Sequence, residues 1–228
     1  MEEKELSIII PAYEKGKLII NTIKSLLEYF PQAEIIIIND GSKDDTKKIK
    51  DIFGAKIIYL ENENNYGKGY SLRKGFSKAK GKYLIFTDAD MPFSVEYINK
   101  VFEKLKEKNS IVIGQRKQFY NDRFYKKILR PFLYLVLKIL FSFEYHDTQC
   151  GLKGFIKGQG KRIFALSVTN GFVIDIEILY LAKKLGYSVD EIEVRQEIFS
   201  DSSTFNFSSM LRMFFDLLII KFRRYEIS

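Results

Sequence analysis

A single cysteine, Cys150, excludes an intramolecular disulfide and a thiolate zinc cluster, and it suits a reducing compartment. No apolar run reaches the roughly 20 residues needed to cross a bilayer. Glu2-Glu3-Lys4-Glu5 leads straight into a strand pattern, so neither a signal peptide nor an N-terminal anchor is expected, and the protein reads as soluble or peripheral. Histidine occurs once, at His146, and reads as a loop residue ahead of a general base. Tryptophan is absent, which decides nothing. What is there is 228 residues, 46% of them hydrophobic, enough for one sizeable core and not for two full domains. Lys and Arg outnumber Asp and Glu by 37 to 29, so the surface should attract nucleic acid, an anionic membrane face or a phosphorylated substrate. Charge alone does not choose among them.

The first half alternates two periodicities. Strands are expected at Leu6–Ile10, Glu34–Ile38, Lys56–Leu60, Lys82–Phe86 and Ser110–Ile113, and helices at Lys17–Tyr29, Asp44–Phe53, Tyr70–Lys80 and Val95–Lys108. This βαβα order predicts an α/β fold with a mostly parallel, helix-covered sheet, whose ligands bind beyond the carboxyl ends of the strands. Polar residues fall at those ends: Pro11-Ala12-Tyr13-Glu14, Asn39-Asp40-Gly41-Ser42 and Asp88-Ala89-Asp90. Each has a plainer reading. Pro11 terminates a strand, and Asn39–Asp44 is also a turn and helix N-cap.

Asp88 and Asp90 follow the apolar run Tyr83–Phe86 with only Ala89 between them, and Pro92 is close behind. Two carboxylates so near each other repel unless a cation, a raised pKa or full solvation relieves them, and magnesium or manganese carrying a diphosphate is one solution. A solvated turn at a strand end is the other reading.

Asn65-Tyr66-Gly67-Lys68-Gly69 is a glycine-rich turn that opens a helix. Such a turn can offer backbone N–H groups to an anion and carry Lys68 to a phosphate. It has neither the Gly-Lys-Ser/Thr of a Walker A loop nor the first-strand position of a dinucleotide fingerprint, so kinase and dehydrogenase readings fall.

In the second half the cations Arg116, Lys117, Arg123, Lys126, Lys127, Arg130 and Lys138 stand against a lone Asp122. The nearly continuous apolar stretch Pro131–Phe143 overlaps them. It is too short to span a membrane and more apolar than a surface helix should be. Ser209–Arg224 repeats the theme with basic residues at its end. Each segment alone reads as core. Two of them, both flanked by cations, point to amphipathic helices at a membrane surface.

Ile8–Glu14, Asn39–Thr46, Asn65–Gly69 and Thr87–Asp90, in this order and spacing, resemble the inverting family 2 glycosyltransferases of GT-A fold. His146-Asp147-Thr148-Gln149-Cys150-Gly151-Leu152-Lys153 is similar to a segment of the dolichyl-phosphate (polyprenyl-phosphate) glucosyltransferases and, more loosely, of the dolichyl-phosphate mannose synthases. Phe172–Glu177 and Ser208–Arg224 extend the likeness over nearly the whole chain. The resemblance implies one Rossmann-like GT-A domain, residues 1–228. Residues 1–115 would be its nucleotide-sugar half, 116–205 its acceptor half and 206–228 a C-terminal membrane-surface helix. It implies base and ribose contacts from Pro11, Tyr13, Glu14 and Asp40, with Lys68 and Asp88 also at the nucleotide-sugar. Asp88 and Asp90 would hold Mg or Mn, and Arg116 and Arg130 would hold the acceptor phosphate, with Asp90, Arg116 and Arg130 as the catalytic set. The family's Asp-Asp-Gly-Ser has become Asn39-Asp40-Gly41-Ser42 here, so no charge is available at position 39. Its Gly-Ser-Lys is replaced by Asp201-Ser202-Ser203-Thr204, without the lysine.

The implied reaction is hexose transfer from a nucleotide-sugar, UDP-glucose ahead of GDP-mannose, to a polyprenyl (dolichyl) phosphate, by a protein peripheral to the cytoplasmic membrane face. A phosphate acceptor needs no general base, since its oxygen is already an anion. Asp175 and Glu177 read as helix caps ahead of sugar contacts, and Cys150 as packing. Two rivals remain at this point: a family 2 enzyme with a saccharide acceptor, and a basic nucleic-acid-binding domain. The second is disfavoured because the cations run into an apolar segment and not among stacking aromatics.

Overall fold

The computed structural model describes residues 4–108, 110–116, 135–145, 147–195 and 207–226. Arg130, His146 and the stretch 200–205 lie outside them, as do residues 117–134 of the basic segment. Among the described residues there are seven strands: β1 (Leu6–Ala12), β2 (Glu34–Asn39), β3 (Ile58–Glu61), β4 (Tyr83–Phe86), β5 (Ile111–Arg116), β6 (Lys153–Ile156) and β7 (Val189–Val194). They form one sheet in the order β3-β2-β1-β4-β6-β5-β7. All pairings are parallel except those of β6, which runs antiparallel to both neighbours.

Period-two alternation along the strands divides the core between the two sheet faces. Leu6, Ile8 and Ile10 of β1, Ile35 and Ile37 of β2, and Tyr83 and Ile85 of β4 pack with α1 (Gly16–Tyr29), α2 (Ile49–Phe53) and α4 (Glu96–Glu107). The intervening Ile9, Ile36, Ile38, Leu84 and Phe86 face the other way. They meet α3 (Lys68–Lys78), α5 (135–141), α6 (Lys157–Leu166), α7 (Ile174–Lys184) and α8 (Phe207–Phe222). With both faces covered, the strands can be continuously apolar, as Ile8-Ile9-Ile10 and Ile35-Ile36-Ile37-Ile38 are.

The five strands expected in the first half are all present, but β4 and β5 are not neighbours, because β6 lies between them. The helix expected over Asp44–Phe53 is a 3-10 turn, Asp45–Lys48, followed by α2. Asp44 caps that turn by accepting from Thr46 N at 3.0 Å, as the N-cap reading requires. Thr46 Oγ1 ties that turn to the start of α1, accepting from Lys15 N at 3.0 Å and Gly16 N at 2.9 Å.

Candidate active site

Three strand ends converge on one rim, and hydrogen bonds fasten each to the next. Asp40 N donates to Ala12 O at 2.8 Å, Glu14 N to Ser42 Oγ at 2.9 Å, and Thr87 N to Ile9 O at 3.1 Å. Pro11 is partly buried at the end of β1, while Tyr13 and Glu14 stand exposed beyond it. Asn39 is buried and works with both ends of its amide. Its Oδ1 accepts from Ser42 N at 3.1 Å, and its Nδ2 donates to Tyr59 Oη at 2.9 Å and Glu61 Oε1 at 3.3 Å. An aspartate here would turn a carboxylate towards Glu61, which gives the asparagine a physical reason.

Asp40 organises the glycine-rich turn. Its carboxylate accepts from Asn62 Nδ2 at 2.7 Å, Tyr66 N at 3.1 Å and Gly67 N at 2.7 Å. Gly69 N donates to Asn170 O at 2.7 Å. The N–H groups that the sequence offers to an anion at Tyr66, Gly67 and Gly69 are therefore bonded within the protein. The glycines serve close approach instead: a Cβ at Gly67 or Gly69 would collide with the carbonyl of Asn170 or Thr169.

The aspartate turn is held from two sides. Met91 N closes it on Asp88 O at 3.0 Å, with Met91 in the left-handed region at φ 35°, and Thr22 Oγ1 of α1 donates to Ala89 O at 2.9 Å. Each carboxylate has its own lysine. Lys15 Nζ is 3.0 Å from Asp90 Oδ2, and Lys68 Nζ is 3.0 Å from Asp88 Oδ1. Lys68 also reaches Asp175 Oδ2 at 2.9 Å, and Asp175 Oδ1 accepts from Lys153, which is fully buried. Asp88, Lys68, Asp175 and Lys153 thus form a chain of alternating charge. Phe86 stacks beside both ammoniums, each 5.4 Å from the ring centroid. Burial works against the Lys68 charge, but Asp175 and Asp88 more than restore it and lift its pKa above the ordinary value. Burial would raise Asp175, yet Lys153 and Lys68 hold it below the usual carboxylate range.

Asp147 and Gly151 bring the Asp147–Gly151 motif to the same place. Asp147 grips Arg116 in a bidentate fork, with Nε–Oδ2 at 2.6 Å and Nη2–Oδ1 at 2.8 Å. Burial weighs against both charges, but the pair prevails, raising the Arg116 pKa and lowering that of Asp147. Gly151 packs so closely on the Asp88 carboxylate that a Cβ there would overlap it. Burial pushes the Cys150 thiol up to about 12, which leaves it protonated packing material.

Asp175 and Glu177 were expected as caps of α7, and neither forms a capping bond there. Glu177 instead accepts from Val168 N and Thr169 N, both at 2.9 Å, from Thr169 Oγ1 at 2.6 Å, and from Tyr225 Oη at 2.9 Å. It fixes the loop on which Gly67 and Gly69 rest. Lys15 was not singled out from the sequence, and Lys153 stood there only as the end of the 146–153 motif, with no role of its own. Lys15 lies in a loop with no motif of its own, and Lys153 is recognisable only once Asp175 stands opposite it.

The Asp88–Asp90 pair suits a divalent cation of the magnesium or manganese type. Both carboxylates sit at the rim, and Asp88 Oδ2 and Asp90 Oδ1 have no hydrogen-bond partner among the described residues. No cluster of three or more potential ligand side chains is found among those residues.

Outside the site, α5 and α8 each bury one stripe and expose another. Leu137 and Phe141 of α5 and Leu217 and Ile220 of α8 are core, whereas Leu135, Ile139, Phe215, Ile219 and Phe222 are between 52% and 78% exposed. Met213 of α8 contacts Gln149, linking that helix to the 147–151 motif. No helix among the described residues is long and apolar enough to cross a membrane.

The family model "Glycosyl transferase family 2" matches residues 7–165. A dolichyl-phosphate beta-glucosyltransferase of Dictyostelium discoideum is 31% identical, over 96% of this chain and 74% of that protein. Its namesake in Saccharomyces cerevisiae is 30% identical, over 96% of this chain and 75% of that one. Among solved structures, glucosyl-3-phosphoglycerate synthase of Mycobacterium tuberculosis in complex with Mn2+ and UDP-glucose superposes with a TM-score of 0.72. It is 16% identical and covers 96% of this chain and 79% of that one. At that identity the likeness establishes the fold, which is GT-A.

Proposed function

The chain belongs to glycosyl transferase family 2, and on that premise we propose that it moves glucose, ahead of mannose, from a nucleotide-sugar to a polyprenyl phosphate such as dolichyl phosphate. The observation that carries the acceptor assignment is the 147–151 motif, which touches Arg116 through Asp147 and the aspartate turn through Gly151. The segment that most resembles the polyprenyl-phosphate enzymes therefore adjoins both the Asp88 carboxylate and a partly buried arginine. Relatives about 30% identical over nearly the whole chain carry the dolichyl-phosphate beta-glucosyltransferase name, which favours UDP-glucose.

In this reading the acceptor's phosphate oxygen attacks the anomeric carbon from the face opposite the leaving group. The bond from that carbon to the diphosphate oxygen breaks, and the nucleoside diphosphate leaves with the electron pair. Because the nucleophile is already an anion, the residues have no proton to remove. Their work is to align the two phosphates and relieve their repulsion. Arg116, and Arg130 beyond the described residues, take the acceptor phosphate. Pro11, Tyr13, Glu14 and Asp40 frame the base and ribose, with Asp40 acting as much by holding the glycine-rich turn as by contact. Lys68 keeps Asp88 in place at the diphosphate. Asp88 and Asp90 would hold a Mg or Mn ion, which when bound supplies charge stabilisation to the departing diphosphate.

Residues 1–115 are assigned to the donor, 116–205 to the acceptor and 206–228 to a lipid surface. The exposed stripes of α5 and α8 suit that surface, with Lys221 and Arg223 beside them for anionic headgroups at the cytoplasmic face. The deciding experiment incubates purified protein and manganese with labelled UDP-glucose or GDP-mannose and polyprenyl phosphate. Label should enter the lipid from UDP-glucose first. Label entering saccharide acceptors and not the lipid would overturn the acceptor assignment.

A further inference from the structure

Lys15 and Lys68 each neutralise one carboxylate of the Asp88–Asp90 pair, but they are held in different ways. Lys68 is 9% exposed, lies between Asp88 and Asp175, and rests on the Phe86 ring. Displacing it would leave Asp175, itself nearly inaccessible, with Lys153 alone. Lys15 has a side chain 27% exposed, and among the described residues its ammonium has one acceptor, Asp90. The backbone that carries it is firmly placed. Glu14 N bonds Ser42 Oγ, Lys15 N and Gly16 N both bond Thr46 Oγ1, and Glu14 and Gly16 take φ values of 49° and 33°. A fixed loop thus presents a compact charge on a flexible four-carbon stem.

We infer that Lys15 is an exchangeable counter-ion of the donor site: it neutralises Asp90 before the donor arrives, yields that carboxylate to the divalent cation and re-pairs with the incoming diphosphate. This rests on the reading of Asp90 as a cation ligand. The ammonium and the cation compete for one carboxylate, and a positive charge at ion-pair distance opposes the arrival of a divalent one. A diphosphate removes both obstacles, because it offers the lysine a more highly charged partner and adds oxygen ligands for the cation. Cation and nucleotide diphosphate then bind cooperatively, and by linkage each strengthens the other by the same factor. Lys68 cannot play this part, since Asp175 retains it whichever way Asp88 turns.

The test measures Mn2+ binding to the full chain by the electron paramagnetic resonance signal of free Mn2+, without nucleotide and with saturating UDP, or GDP if that binds more tightly. Lys15→Met should bind Mn2+ alone roughly 3- to 10-fold more tightly than wild type. The enhancement produced by the nucleotide should shrink by a similar factor. Lys15→Arg, which keeps the charge, should behave like wild type, and circular dichroism establishes that both variants are folded. Asp90→Asn should weaken Mn2+ binding. If Asp90→Asn weakens binding while Lys15→Met changes neither affinity nor enhancement, the counter-ion role is overturned and the cation reading survives. If Asp90→Asn leaves Mn2+ binding unchanged, the cation reading falls and the counter-ion role with it.

Discussion

Asp175→Asn tests the buried charge chain directly. The substitution keeps size and one acceptor oxygen, and it removes the negative charge between Lys68 and Lys153. Lys68 retains Asp88 at 3.0 Å, but fully buried Lys153 is left, among the described residues, with neutral partners: the Cys150 carbonyl at 2.6 Å, the face of Phe86 and whatever the uncharged amide oxygen supplies. Stranding a buried charge by removing its partner costs about 3–5 kcal/mol, a large share of the roughly 5–15 kcal/mol that holds a domain folded. For a chain of this size that corresponds to a melting point lower by about 6–20 °C. Urea melts at neutral pH, with m-values compared, measure it. Adding Lys153→Met removes the stranded ammonium and should recover at least half of the loss. The acid limb gives a second reading. Asp175 has its pKa depressed on folding, so its contribution is fully present above the unfolded value of about 3.9 and is lost as pH falls through the folded one. The variant should therefore lose less stability than wild type between about pH 5 and pH 2. A single substitution costing under about 1 kcal/mol, or a double variant no more stable than the single, would refute this account.

Asp90→Ala should abolish transfer of labelled glucose to polyprenyl phosphate while leaving the urea midpoint near wild type. Gly69→Ala drives a methyl into the Thr169 carbonyl and should cost about 1–3 kcal/mol in the same melts. Tyr225→Phe removes the bond to Glu177 and should cost about 1 kcal/mol, read as a lowered melting point. Phe215→Asp with Ile219→Asp alters an exposed stripe of α8, so co-sedimentation with anionic vesicles should fall several-fold while the melting point stays close to wild type.

The donor half of the fold was legible because its strands are unbroken apolar runs closed by polar turns, and Ile8–Ile10 and Tyr83–Phe86 announce themselves. β6 was not. Lys153-Gly154-Phe155-Ile156 carries a lysine and a glycine where a strand pattern asks for apolar residues, and its lysine is buried only because Asp175 neutralises it. β7, Val-Asp-Glu-Ile-Glu-Val, mixes acids into a half-buried edge. α6 contains two glycines and gives little helical signal. At the site, sequence spacing brought out Asp40, Asp88 and Asp90. It could not show that Asp40 spends its carboxylate on the glycine-rich turn, or that Lys15 reaches Asp90 across 75 positions, since such pairings exist only after folding.

The antiparallel placement of β6 has a consequence for how the molecule is made. A growing chain can assemble β3-β2-β1-β4 from its first 86 residues, but the outer edge of β4 stays open until Lys153–Ile156 has left the ribosome. During that interval Tyr83–Phe86 presents unpaired backbone groups on an apolar strand, the template on which nascent chains stick to one another. β5 gains nothing by waiting alone, because its seat in the sheet is defined by the strand that follows it in the chain. A fragment ending near residue 115 would therefore be an aggregation-prone intermediate and not a portable nucleotide-binding module, and conditions that slow synthesis between residues 116 and 156 should lower the yield of native protein.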